Sequence, residues 1–210
     1  MKKGIIFDMD GTLWDSAEGV AKSWMEVIKT ERPELPEITE DDIQSVMGKT
    51  MDVIARLLFP TLAPDEQIEL LDKCCVRENE YLAEHGGELF PELEETLKIL
   101  QKDYNLYIVS NCQSGYIEAF LQYYNFEKYF DDIECYGNNE LSKGENIKLV
   151  VERNKLDKAV YVGDIQGDYD AATEAGVPFI HAAYGFGTIS QDVVTINSLS
   201  ELPAAIKKYL

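Results

Sequence analysis

The sequence predicts an α/β protein: a doubly wound, Rossmann-like parallel sheet carrying a small all-helical domain inserted after its first strand. Three observations carry that expectation. Five short runs rich in Ile and Val, at residues 4–7, 106–109, 133–136, 159–162 and 178–182, are apolar without alternation, as strands covered on both faces must be. Helical stripes separate the later runs, which makes a parallel sheet with crossover helices. The stretch between the first run and the helix start at Phe90-Pro91, about 80 residues, carries only helical patterns and is too long for a crossover loop.

Each helix is predicted from its own spacing. Leu93, Leu97 and Leu100 form one stripe, Ile117, Phe120, Leu121 and Tyr124 a second, and Ile147, Val150 and Val151 a third. Inside the insertion, Asp15 with Glu18 resembles a capping box, and Ala17, Val20, Ala21, Trp24, Val27 and Ile28 then line one face. Further helices are expected over 51–59 and from Pro64 to about Ala83, closed by Gly86-Gly87. The division that follows is a core of residues 1–14 and 86–210 and a helical insertion of residues 15–85.

Composition narrows the function. With 19 Lys and Arg against 39 Asp and Glu, the 210-residue chain carries a net charge of -20. Binding nucleic acid requires cations that neutralise phosphates, and an acidic surface is repelled by anionic membranes, so both partners are unexpected. The apolar run after Lys2-Lys3 ends at Asp8, too early for a signal peptide, and no run approaches a membrane span. Cys74, Cys75, Cys112 and Cys135 show no metal-binding spacing. They read as reduced thiols of a cytoplasmic protein, the alternative being a strained bridge between Cys74 and Cys75.

Open α/β sheets bind ligands outside the carboxyl ends of their strands. Asp8 and Asp10 follow the first run, Ser110-Asn111 the second, Lys143 the third, and Asp164 and Asp168 the fourth. Carboxylates converging on one crevice repel one another unless a cation sits among them, and hard oxygen donors select magnesium. A carboxylate can attack phosphorus, a second one two residues on can trade protons with the leaving alcohol and the water, and a hydroxyl, an amide and an ammonium can hold phosphoryl oxygens. A phosphate substrate would need that local positive site in so acidic a protein.

Phe7-Asp8-Met9-Asp10-Gly11-Thr12-Leu13, Val109-Ser110-Asn111, Lys143, and Val162-Gly163-Asp164 through Asp168 resemble, in order, the four motifs of the haloacid dehalogenase-like superfamily. The helical insertion resembles its C1-type cap, the arrangement of phosphoglycolate phosphatases and β-phosphoglucomutase-like phosphatases. The resemblance implies Asp8 as nucleophile and Asp10 as general acid/base. It implies phosphate binding by Ser110, Asn111 and Lys143, and magnesium held by Asp8, the Asp10 carbonyl and Asp164, with Asp168 orienting Asp164 or a ligated water. Where the family commonly has proline after the lysine this chain has Gly144, which leaves Lys148 as a second candidate for the cation. Gly48-Lys49 resembles the cap loop that contacts substrate and reads equally as an exposed turn.

Simpler roles compete at several positions. Asp168 and Ser110 are both residues that cap helices, His181 reads as a packed histidine, and His85 as a helix-terminal one. Trp24 reads as core, whereas Trp14 and Tyr184 either pack or line the substrate entrance. Asp170 reads as helix surface. Dehalogenases and phosphonatases resemble this pattern without a carboxylate at position 10, so Asp10 implies cleavage of a P–O bond. Val20 stands where β-phosphoglucomutases typically carry histidine, which speaks against phosphotransfer. The expected protein is therefore a monomeric magnesium-dependent phosphatase acting on a small phosphorylated metabolite. The alternatives are a phosphoglucomutase-like phosphotransferase and a non-catalytic phosphate-binding module.

Overall fold

The computed structural model describes all 210 residues. The chain opens on β1 (Lys3–Phe7) and β2 (Trp14–Asp15) and runs through four helices, α1 (Ala17–Glu31), α2 (Glu40–Val46), α3 (Met51–Leu58) and α4 (Pro64–His85). It returns on β3 (Glu88–Leu89) and continues through α5 (Leu93–Leu100), β4 (Asn105–Ser110), α6 (Tyr116–Tyr124), β5 (Asp132–Cys135), α7 (Tyr136–Asn139) and α8 (Lys143–Arg153). β6 (Lys158–Gly163), α9 (Gln166–Ala175), β7 (Phe179–Ala182), β8 (Val194–Ile196) and α10 (Leu202–Ala205) complete it. No helix is long and apolar enough to cross a membrane.

Six strands form one parallel sheet in the order β5-β4-β1-β6-β7-β8. The chain builds outward from β1 on one side, then returns and builds outward on the other. β1 with its neighbours is thus the switch point, where the crossovers diverge and leave a crevice at the carboxyl ends. Successive residues of the central strands bury on opposite faces. Ile5, Phe7, Ile108 and Val162 join the larger core, whereas Ile6, Tyr107, Val109 and Tyr161 join a smaller one under α8 and α9. The larger core continues through Leu13, Trp14 and Ala17 into the helical insertion, so core and insertion share apolar packing.

The strand runs lie where the sequence places them, with differences that have local causes. β8 was not expected, because a three-residue edge strand with a central exposed Thr195 is too short to show a pattern. Tyr136 starts α7 rather than ending β5. Two-residue strands β2 and β3 pair antiparallel and form the stem of the insertion. The expected Asp15–Glu18 capping box does not form: Asp15 accepts from the Ala17 amide at 2.9 Å, while Glu18 pairs with Lys22 on the surface. A reciprocal box forms instead at Thr39 and Asp42, where it starts α2. All four cysteines are free and buried, which excludes the Cys74–Cys75 bridge.

Candidate active site

Asp8 is the first residue past β1, and its amide still donates to the Val162 carbonyl at 2.9 Å, extending the ladder to β6. The strand therefore delivers its carboxylate to the bottom of the crevice, where it is buried. Gly11 then turns the chain at φ 80°, a left-handed conformation that glycine adopts without strain. A Cβ at Gly11 would lie 2.1 Å from Asp164 Oδ2, and one at Gly185 would lie 2.6 Å from the same atom. The two glycines make room for the Asp164 carboxylate at the end of β6, and Phe186 N–H donates to it at 2.8 Å.

Lys143 arrives from the opposite side. Ser142 and Glu145 form a reciprocal capping box that starts α8 at Lys143, so the lysine stands on the first turn with its side chain inward. Its Nζ donates to Asp8 at 3.0 Å and to Asp168 at 2.7 Å, with the lysine side chain only 4% exposed. Lys148, the other candidate, is half-exposed and lies 3.8 Å from Glu174. At Gly144, beside Lys143, a Cβ would come within 2.5 Å of the carboxylate end of the half-exposed Glu174 side chain on α9.

Asp168 is fully committed by the fold. One oxygen takes the Lys143 ammonium, and the other accepts the amides of Asp164 at 3.0 Å and Ile165 at 3.1 Å, tying off the β6–α9 turn. Asp168 is the third residue of α9 and not its N-cap, but its side chain reaches back to the amide of Ile165, the N-cap residue, and it also belongs to the acidic cluster. Asp8, Asp164 and Asp168 each bring an oxygen within 4.8 Å of the others. With Lys143 the only ammonium bonded to them, the cluster keeps a charge near -2 when ionised. Burial first, then the neighbouring Asp168, pushes the Asp8 carboxyl up to about 7, against the lowering by Lys143. The same causes, with Asp8 added, raise Asp164 to about 8. An all-oxygen, electron-rich donor set that burial makes costly to ionise fits a hard divalent cation such as magnesium.

Asp10 faces elsewhere. Its Oδ1 accepts from the Tyr116 hydroxyl at 2.6 Å and from Ser16 at 2.9 Å, and the two hydroxyl oxygens stand 2.6 Å apart. Burial raises it to about 6, opposed by these donors. It lines a small pocket of about 50 Å³ between the sheet and the insertion, together with Ser110, Asn111, Gly48 and Lys49. Ser110 ends β4 and caps no helix, since α6 starts at Tyr116 with Gly115 before it. Asn111 donates its side-chain amide to the Gly48 carbonyl at 2.9 Å, while its Oδ1 is buried without a partner. Gly48 has φ 79°, and a Cβ there would meet Ile165 at 2.4 Å. Lys49 points outward and donates to the Ser45 carbonyl at 3.0 Å.

Several supporting residues escaped sequence reasoning. Tyr116 and Ser16, which hold Asp10, are polar tips on otherwise buried positions and carry no pattern of their own. His181 packs, as expected, and sets Nε2 3.1 Å from the Asp164 carbonyl. Trp14 is buried among Tyr116, Phe120 and Tyr124 and does not line the entrance, whereas Trp24, expected in the core, also forms pocket wall. Tyr184 donates to the Thr12 carbonyl at 2.9 Å and packs on Phe90.

The crevice lies at the switch point of a parallel sheet and holds an acidic cluster with one buried lysine. Residues 5–182 match the model of the haloacid dehalogenase-like hydrolase family, and the chain belongs to that family. A phosphoglycolate phosphatase of Escherichia coli (strain K12) is 29% identical over 238 residues, covering 97% of this chain and 92% of that protein. Among solved structures, a haloacid dehalogenase-like family hydrolase from Streptococcus pneumoniae superposes with TM-score 0.81 at 22% identity, covering 97% of each chain. CbbY from Rhodobacter sphaeroides, solved with xylulose-(1,5)bisphosphate, superposes with TM-score 0.76 at 19% identity over 96% of each chain.

Proposed function

We propose that this hydrolase is a magnesium-dependent phosphatase that cleaves a small phosphate monoester through a phosphoaspartyl intermediate on Asp8. One observation carries the reading: two carboxylates two residues apart face different surroundings. Asp8 lies against Lys143 beside Asp164, whereas Asp10 is held by Tyr116 and Ser16 toward the pocket under the insertion. The first suits a nucleophile and the second a group that serves the leaving alcohol. Relatives named phosphoglycolate phosphatase support it.

Asp8, Asp164 and the Asp10 carbonyl would hold magnesium, which supplies positive charge to the phosphoryl oxygens when bound. Lys143 fixes the Asp8 carboxylate and balances its charge. An Asp8 oxygen attacks phosphorus as the bond to the leaving alcohol breaks, and Asp10 gives that alcohol its proton. Asp10 then takes a proton from the water that attacks the phosphoaspartate, releasing Asp8 and inorganic phosphate. A carboxyl near 6 can do both at neutral pH. Ser110 and Asn111 receive phosphoryl oxygens, Asn111 through the side-chain N–H that its bond to Gly48 leaves free. Residues 15–85 act as a cap that keeps bulk water from the reacting atoms. The test is hydrolysis of p-nitrophenyl phosphate with magnesium. Asp8→Asn should reduce it to background, and retained turnover by that variant would remove Asp8 as nucleophile.

A further inference from the structure

One buried charge takes no part in the chemistry above. Glu78, on α4, is 4% exposed, and its two carboxylate oxygens accept N–H bonds from the Trp24 indole and, at 3.0 Å, from the Gln113 side chain. No cation pairs with it, and the charged group acting on it is Asp10, so burial dominates and raises the carboxyl to about 7. A buried carboxylate is costly unless its lone pairs are satisfied. Each oxygen here has one N–H partner, which opposes part of that rise and leaves acceptor capacity on both. Glu78 lines the same pocket as Asp10, along with Val20, Trp24, Ile54 and Tyr116. Lys49 is the one cationic residue on that wall, and its ammonium is turned away to the Ser45 carbonyl.

We propose that Glu78 determines specificity: it selects monoesters whose leaving alcohol carries a hydrogen-bond donor, ammonium or hydroxyl, on a short apolar body, and rejects leaving groups that end in a carboxylate. The inference rests on the phosphatase reading and deepens it. Phosphoglycolate, named for the relatives, would bring a carboxylate beside Glu78 in a pocket that offers no inward cation. Like charges without a counter-ion are a repulsive element as effective as any attractive contact. A donor on the leaving group instead fills the open acceptor positions on Glu78.

The test compares kcat/KM with magnesium for 2-aminoethyl phosphate, 2-hydroxyethyl phosphate, ethyl phosphate and 2-phosphoglycolate, with p-nitrophenyl phosphate as a general phosphatase probe. The unaltered protein should favour either donor-bearing ester over ethyl phosphate by about tenfold to a hundredfold, as expected for a hydrogen bond to a charged acceptor, and 2-phosphoglycolate should be the poorest of the four. Glu78→Gln should shrink the ratio between the aminoethyl ester and phosphoglycolate by a similar factor. Preference of the unaltered protein for phosphoglycolate overturns the inference without needing the variant to fold. An unchanged ratio in a folded Glu78→Gln protein also overturns it, leaving Glu78 as an anchor for Trp24 and Gln113. Absence of p-nitrophenyl phosphate hydrolysis removes the phosphatase reading and this inference with it, whereas robust hydrolysis with the wrong preference removes only the inference.

Discussion

Replacing Lys143 with methionine keeps the length of the side chain and removes its charge, which isolates the electrostatic role of the lysine. The ammonium bonds Asp8 at 3.0 Å and Asp168 at 2.7 Å, with all three side chains 4% exposed or less. Breaking a buried pair by deleting one partner leaves an uncompensated charge and costs about 3–5 kcal/mol, far more than a surface pair. The loss depends on pH. Lys143 lowers the Asp8 carboxyl, which burial and Asp168 hold up at about 7. Without the lysine that value rises further above its unfolded 3.8. An acid whose pKa is raised on folding loses stability as pH climbs from the unfolded toward the folded value. The Lys143→Met deficit should therefore be small near pH 5, where Asp8 can protonate, and reach several kcal/mol at pH 8. Urea unfolding followed by circular dichroism at both pH values, with chelator present, measures it. A deficit below about 1 kcal/mol at pH 8, or one equal at the two pH values, would refute a buried ammonium balancing Asp8.

Three further outcomes test the rest of the site. Tyr116→Phe removes a donor that lowers Asp10, so Asp10 should deprotonate later and the alkaline fall in kcat should move up by about one pH unit; an unmoved limb separates Asp10 from that proton transfer. Asp10→Asn should cost about 10²–10⁴ in kcat for alkyl phosphates and far less for p-nitrophenyl phosphate, whose phenolate leaves without a proton. Equal losses on both would contradict a general acid. Magnesium should raise the melting temperature of the unaltered protein by relieving the Asp8 and Asp164 cluster, and Asp164→Asn should abolish most of that rise; an undiminished rise places the ion elsewhere.

The strand ends were legible because the last four residues of β1, β4 and β6 are buried and read as apolar runs that stop at polar residues. Lys143 was only half legible. Its neighbour Gly144 departs from the usual motif, and only the fold shows that Lys143 turns inward to Asp8 while Lys148 stays on the surface. The expected capping box at Asp15 failed for a related reason, because the β2–β3 stem holds Asp15 in an extended conformation that no helical pattern shows.

By itself the sequence determined the parallel sheet, the place and helical nature of the insertion, and which carboxylates stand at the carboxyl ends of β1 and β6. Those properties follow from periodicity and chain direction, which are local. Only the tertiary structure decided that Asp8 and Asp10 part company, that Asp168 spends both oxygens on Lys143 and the turn amides, and that Glu78 shares a pocket with Asp10. These depend on contacts between residues as far apart as Asp10 and Tyr116, 106 positions along the chain. What a carboxylate does is set by its donors, its neighbours and its distance from water, and those exist only once the chain has closed around it.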